Sequence, residues 1–216
     1  MWLLRGFYSD MKKSFLCILF FFSFFCLHAK SDIQLLTGPF FYDYSYDSGD
    51  TRLSDSGIKG LCLSAANYNF ISEEEHFGFF EKASVQFYDN WDKFDFSLQV
   101  GPSFCYGMNE HIDLLTAPFL RLDLDVSRGI VLSEKYANSL YPSSKNTEYG
   151  FYLGLGADIL FKFFADTEIS LLAGLDISFD FFKGGFIFYK KEFYNIDFDN
   201  YFCANCCPFI GISYNF

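Results

Sequence analysis

Two-residue alternation, held over stretches far longer than an ordinary strand, constrains this chain more than any other feature. In residues 149–163 all eight odd positions are apolar, from Tyr149 to Phe163, against Gly150, Tyr152, Gly154, Gly156, Asp158, Leu160 and Lys162. In residues 169–181 all seven odd positions are apolar, against Ser170, Leu172, Gly174, Asp176, Ser178 and Asp180. Residues 94–106 and 112–126 repeat the pattern on their even positions, and 202–216 repeats it with Ile210, Ile212, Tyr214 and Phe216 on one side. Alternation of this length is the signature of a β-strand with two unlike faces, not of a helix. The first half is less regular. Phe40, Tyr42, Tyr44 and Tyr46 alternate with Phe41, Asp43, Ser45 and Asp47, the segment 58–70 is a weaker strand, and 79–88 sets Ala83, Val85 and Phe87 against Lys82, Ser84, Gln86 and Tyr88. Eight strands result.

The links between them fall into two kinds. Residues 47–57, 89–93, 127–148 and 182–200 form one set, mostly long and polar; 72–77, 107–111 and 164–168 form the other, all short. An antiparallel meander with its long loops at one end follows. Eight long strands leave two bare edges unless the sheet closes, so the expected fold is all-β: an up-and-down antiparallel barrel of eight strands. Pro39, Pro102, Pro118 and Pro208 lie inside expected strands. A closed barrel has no edge to absorb a missing donor, so β-bulges are expected beside them, in the short-turn half.

Residues 1–29 stand apart. Met11-Lys12-Lys13 is followed by an almost wholly apolar run from Ser14 to Leu27 and then His28-Ala29. A basic start, an apolar stretch shorter than the ~20 residues of a membrane span and a small residue at the cut describe a signal peptide. Cleavage is expected after Ala29, with Met11 as the initiator and residues 30–216 as the barrel domain. Losing three bases and one acid moves the formal charge from −11 to −13. That charge argues against a nucleic-acid partner, and an apolar fraction of 51% excludes disorder.

Eight-stranded barrels turn their apolar face either inward, around a ligand, or outward, to lipid. Four features favour lipid outside and a transmembrane barrel. The strands exceed the ~9–11 residues that cross a bilayer obliquely. The apolar faces end in rings, with Tyr44, Tyr46, Phe94, Phe96, Tyr149, Phe151, Phe179 and Phe181 at the loop end and Tyr106, Phe161, Phe163, Tyr214 and Phe216 at the other. The opposite face is rich in Gly, Ser and Asp, which suits a narrow polar bore. The sequence ends on Phe216, at the end of its last strand.

The ending Ile210-Gly211-Ile212-Ser213-Tyr214-Asn215-Phe216 resembles the carboxy-terminal insertion signal of bacterial outer-membrane barrels. With the export signal and the loop asymmetry, residues 33–216 resemble the small barrels of the OmpX, OmpA-barrel and OmpW type. The resemblance implies outer-membrane lipid as solvent and the barrel-assembly machinery as a partner, met through Ile210, Ile212, Tyr214 and Phe216. It implies an unknown extracellular partner or solute.

The inward face is the candidate site. Its charges are Asp43, Asp95, Asp113, Asp123, Asp125, Asp158, Asp176 and Asp180 against Lys82, Arg121 and Lys162. Asp95, Gln99, Arg121, Asp123, Asp158, Lys162 and Asp176 are the expected lumen-lining set. If the turn at 107–110 sets the register, Asp95 faces Asp123 and Ser97 faces Arg121, and Arg121 is the nearest counter-charge for buried carboxylates. His76 and His111 fall in short turns, away from the outer rim, so no Ser/His/acid set is expected and the chain is not read as an enzyme. Cys203 and Cys206 point to opposite faces of a strand, which removes the metal reading of that cluster. No cofactor or metal is expected. The bland reading of the cysteines is packing; a disulfide from Cys105 to Cys203 or Cys207 is the sharper one. The 182–200 loop, with Phe186, Ile187, Phe188, Tyr189, Phe193 and Tyr194, either extends its hairpin, folds over the mouth or forms a contact patch. Three functions stay open: a structural or surface-interaction protein working through its long loops, a small porin-like channel for small or hydrophobic solutes as in OmpW-like barrels, and a soluble lipocalin-like carrier.

Overall fold

A computed structural model describes residues 30–48, 51–70, 76–88, 93–128, 147–189, 192–197 and 199–215. The expected signal segment, residue 216 and the link 129–146 lie outside them. The strands are β1 (Lys30–Ser48), β2 (Thr51–Phe70), β3 (Phe77–Tyr88), β4 (Lys93–Asn109), β5 (Ile112–Arg128), β6 (Thr147–Phe163), β7 (Ile169–Tyr189), β8 (Glu192–Asp197) and β9 (Asp199–Asn215). Every pairing is antiparallel, in the order β6-β5-β4-β3-β2-β1-β9-β7, and β6 pairs β7 to close the ring. β8 continues the line of β9 upward and pairs the top of β7. Eight staves therefore make the barrel, the last one made of β8 and β9.

Which face points outward is decided on a single strand. Along Leu120, Arg121 and Leu122 the exposure runs 61%, 4% and 39%, so the leucines face out and the arginine faces in. Leu35, Leu98, Leu153, Ile210 and Ile212 are exposed in the same way. Tyr106, Phe151, Phe161, Phe179, Phe181 and Tyr214 are exposed at the two ends of this belt. The rings are on the outside, which excludes a lipocalin-like apolar cavity.

Three expectations are corrected. First, two of the long loops are strand. β1 and β2 pair from Lys30↔Phe70 to Ser48↔Thr51, leaving only residues 49 and 50 as the link, and β7 pairs β8 up to Tyr189↔Glu192. Above the apolar belt both faces of a strand are wet, so alternation fades although pairing continues. Second, β1 faces the other way. Phe40 is buried inside and Asp43 is exposed outside, because the parity set by inward Asp32, Gln34 and Leu36 carries through. Third, the prolines are not accommodated by bulges in the seams they break. Thr37↔Ile210 and Phe41↔Cys206 set Pro39 opposite Pro208, while Val100↔Leu120 and Phe104↔Thr116 set Pro102 opposite Pro118. Each ladder lapses there and resumes in the same register. The donor-less residues face each other, so two losses share one gap on each of two diametrically opposite seams. One bulge does lie nearby, on the β1–β2 side between Phe40 and Phe41, where Gly60 has φ 151°.

A ring without edges has no free strand from which unfolding can spread. The folded barrel in detergent is therefore expected to migrate as a compact band unheated and as a slower, extended band after boiling. Identical mobility before and after boiling would refute closure.

Candidate functional site

The interior is built in levels. At the short-turn rim Lys162 Nζ donates to Asp32 Oδ2 at 2.7 Å and also bonds the Asn215 side chain. Outside it, the 164–168 turn docks on its neighbour: Ala165 N donates to His111 O at 3.2 Å, and His111 Nδ1 stands 3.3 Å from Asp166. Cys105 N donates to His76 O at 2.8 Å. The two histidines thus serve turn contacts.

Above the rim the bore is filled by apolar side chains. Leu36, Ala66, Tyr68, Phe70, Phe80, Leu115, Ala117, Phe119, Leu160, Leu172 and Phe209 form one buried cluster. Tyr68 packs on Phe80 at 4.9 Å between ring centroids, and Phe80 on Phe119 at 6.0 Å. Glycines on facing strands make the room. A Cβ at Gly156 would come within 2.5 Å of the Phe119 ring, and one at Gly174 within 2.8 Å of Phe209. Sequence reasoning expected a polar bore throughout and missed this plug. Its signal was present as apolar residues on otherwise polar parities, all a few residues from the short-turn ends of their strands.

Above the plug lie three charged levels. Lys82 Nζ bridges Asp158 at 2.6 Å and Asp176 at 2.8 Å. The Tyr68 hydroxyl donates to Asp158 at 3.3 Å, and Gln99 Nε2 donates to Asp176 at 2.8 Å. Higher up, Arg121 holds Asp123 with both arms, Nε to Oδ1 at 2.8 Å and Nη2 to Oδ2 at 2.6 Å, while Nη1 donates to Ser178 Oγ. Asp180 lies 4.0 Å from Arg121 Nε and accepts the Asn205 amide at 2.7 Å. At the top Asp125 accepts the Tyr152 hydroxyl at 2.6 Å and the Gly150 N–H at 2.9 Å, and Tyr88 donates to Asp95. Lys183 Nζ sits 5.0 Å above the Tyr152 ring and 5.7 Å above the Tyr201 ring.

Asp95, Gln99, Arg121, Asp123, Asp158, Lys162 and Asp176 all lie buried inside the barrel, spread over four levels rather than gathered in one site. The pairing differs from expectation by two residues: Asp95 faces Asp125, Ser97 faces Asp123 and Gln99 faces Arg121. The turn is tighter than expected, Asn109↔Ile112, with a shift between Gly107 and Asn109. Two buried charges went unseen. Asp32 lies before the first regular strand in sequence. Lys183 points inward because the β6–β7 register shifts after Gly154, leaving Phe181 and Phe182 both outside. Two consecutive rings followed by a lysine were the available sign.

The five cysteines from Cys62 onward are all free thiols. Cys105 on β4 is separated from Cys203 and Cys207 by strands β3, β2 and β1, so the disulfide from Cys105 is not formed. Among the described residues no group of three or more His, Cys, Asp or Glu is placed to hold a metal. At the last strand Ile210, Ile212 and Tyr214 face outward; Phe216 lies outside the described residues.

No family profile and no curated protein matches the sequence. Among solved structures, Neisserial surface protein A superposes with a TM-score of 0.55 at 10% identity, covering 86% of this chain and 97% of that one. This chain has the fold of the small eight-stranded outer-membrane barrels. Ail, the attachment invasion locus protein of Yersinia pestis, matches at 12% identity and a TM-score of 0.40, over 88% of this chain and 100% of that one. At these identities the likeness to Neisserial surface protein A is one of fold alone.

Proposed function

We propose that this protein is an integral barrel of the bacterial outer membrane that acts at the cell surface through the strands and loops beyond its apolar belt. The observation that carries the reading is the filled bore. An apolar plug closes the short-turn half, and ion-paired side chains cross the half above it. A barrel packed in this way offers its ends, not its interior, to other molecules. At the loop end the β7–β8 hairpin continues past Asp47↔Asp199, the last pairing of β1 with β9. Its register sets Ile187 beside Tyr194 and Phe188 beside Phe193. The paired segment is rich in apolar residues, a composition suited to contact. Neisserial surface protein A, which shares the fold, is by its name a surface protein.

Export through a cleaved signal at Ala29, and assembly through Ile210, Ile212, Tyr214 and Phe216, belong to the same reading. No catalytic role is assigned, and the channel reading finds less support, because conduction needs a path through the plug.

Cells displaying the full barrel are expected to bind immobilised serum and matrix proteins more strongly than cells displaying a variant in which residues 186–196 are replaced by a two-residue turn. The shortened barrel should keep its heat-dependent band shift. Equal binding by the two would remove the hairpin from the proposal. Steady conductance of the full barrel in planar bilayers would overturn the surface reading in favour of the channel.

A further inference from the structure

Among the described residues no charged side chain faces lipid on β4, β5, β6 or β7 between the two ends of the apolar belt. Strand β3 carries one. Lys82 points into the bore, so Glu81 beside it points outward. Successive pairings set Ile33, Asn67, Glu81, Val100 and Leu120 in one row across five strands. Val100 and Leu120 are exposed to lipid, and so are Phe77 and Phe79, which separate Glu81 from the short-turn end. The carboxyl group therefore stands inside the belt, not at its margin. Asp43, the other outward acid among the described strand side chains, pairs Ala204 beside the exposed Phe202 ring at the loop end. An ionisable group in hydrocarbon is costly and calls for a partner.

The surface around Glu81 is shaped for close approach. The next row runs Leu35, Ala65, Ala83 and Leu98. Ala83 and Asn67 are buried although they face outward, while Leu35, Leu63, Phe79, Leu98 and Val100 stand exposed around them. A dent floored by small side chains thus lies beside the carboxyl group, and small residues let surfaces embedded in a membrane meet closely.

We infer that a second copy of this chain packs on the β2–β3 face, with the two Glu81 carboxyl groups hydrogen-bonded to each other across a two-fold axis along the membrane normal. Such an axis brings the same patch of each copy together at the same depth. A carboxylate accepts and a protonated carboxyl group donates, so one proton taken up on association makes the pair its own complement. No basic side chain is required of the partner. A second copy also matches the dent with an identical dent, which lets the two β3 strands approach.

The test is sedimentation equilibrium in density-matched detergent micelles, on barrels that keep the heat-dependent band shift. The inference rests on the membrane reading, which insertion of the barrel into lipid vesicles checks separately. Wild type is expected to sediment as a dimer in equilibrium with monomer. Glu81→Gln keeps a donor and an acceptor and is expected to stay dimeric. Glu81→Leu removes the hydrogen bonds and Ala83→Leu fills the dent, so each is expected to raise the dissociation constant roughly tenfold or more. Leu171→Ala, on the lipid face of β7 diametrically opposite β3, is expected to change nothing. A monomeric wild type would overturn the inference, and so would a Glu81→Leu barrel that pairs as tightly as wild type. A Glu81→Gln barrel that dissociates like Glu81→Leu, or weakening by Leu171→Ala, would overturn it as well.

Discussion

Replacing Lys82 by methionine is expected to destabilise the barrel by about 3–5 kcal/mol, because two buried carboxylates lose the base that bridges them. Asp158 and Asp176 stand 2.6 Å and 2.8 Å from its Nζ, and all three side chains are buried. Tyr68 and Gln99 donate one hydrogen bond to each carboxylate but bring no charge. The loss should appear as a lower urea midpoint for the heat-modifiable band in detergent. Carrying Asp158→Asn and Asp176→Asn alongside Lys82→Met should recover most of the stability, since a neutral level no longer needs a base. A Lys82→Met barrel as stable as the parent would mean that the ion triad contributes nothing, and the layered account of the bore would fall with it. A single variant that is weak while the triple variant is equally weak would assign the loss to the lysine stem packed 4.8 Å from the Phe209 ring instead.

Gly38→Val is expected to prevent closure between the first and last strands. A Cβ at Gly38 would lie 1.9 Å from the Pro208 carbonyl oxygen, a backbone atom that has no rotamer to escape into. Overpacking against yielding side chains costs ~1–3 kcal/mol; against a backbone in a sealed ring the cost should exceed that range and leave little heat-modifiable barrel. Gly101→Val should act alike at the opposite seam, where the Cβ would stand 2.0 Å from Pro118 O. Gly107→Ala is the control, because its Cβ would meet only the Asp113 side chain at 3.7 Å. A Gly38→Val barrel that folds and shifts normally would show that the strands do not approach this closely at the paired prolines.

The two cases show where sequence reading succeeded and where it stopped. Alternation in 94–106, 112–126, 149–163 and 169–181 was strong because each strand separates lipid from bore, and the two solvents select opposite residue types. It reversed at Phe40, where an aromatic on either parity is acceptable: outside it would meet lipid, and inside it packs on the Tyr88 ring at 5.1 Å. It was lost in 51–57, 184–189 and 192–197, which pair as strand without a period-two apolar pattern. Lys183 was hidden by one extra residue, since a single bulge inverts every later parity on its strand.

By itself the sequence determined the number of staves, the closed sheet, the outward turn of the apolar face and most of the inward charges. These depend on residue type and parity alone. Only the tertiary structure decided what those charges do. Lys82 meets Asp158 and Asp176 from 76 and 94 positions away, and Lys162 meets Asp32 across 130. Such partners depend on the stagger of every hairpin between them, which turn lengths and bulges set in whole-residue steps. The plug and the matched prolines arise in the same way, from residues that share a height in the barrel and no neighbourhood in the chain.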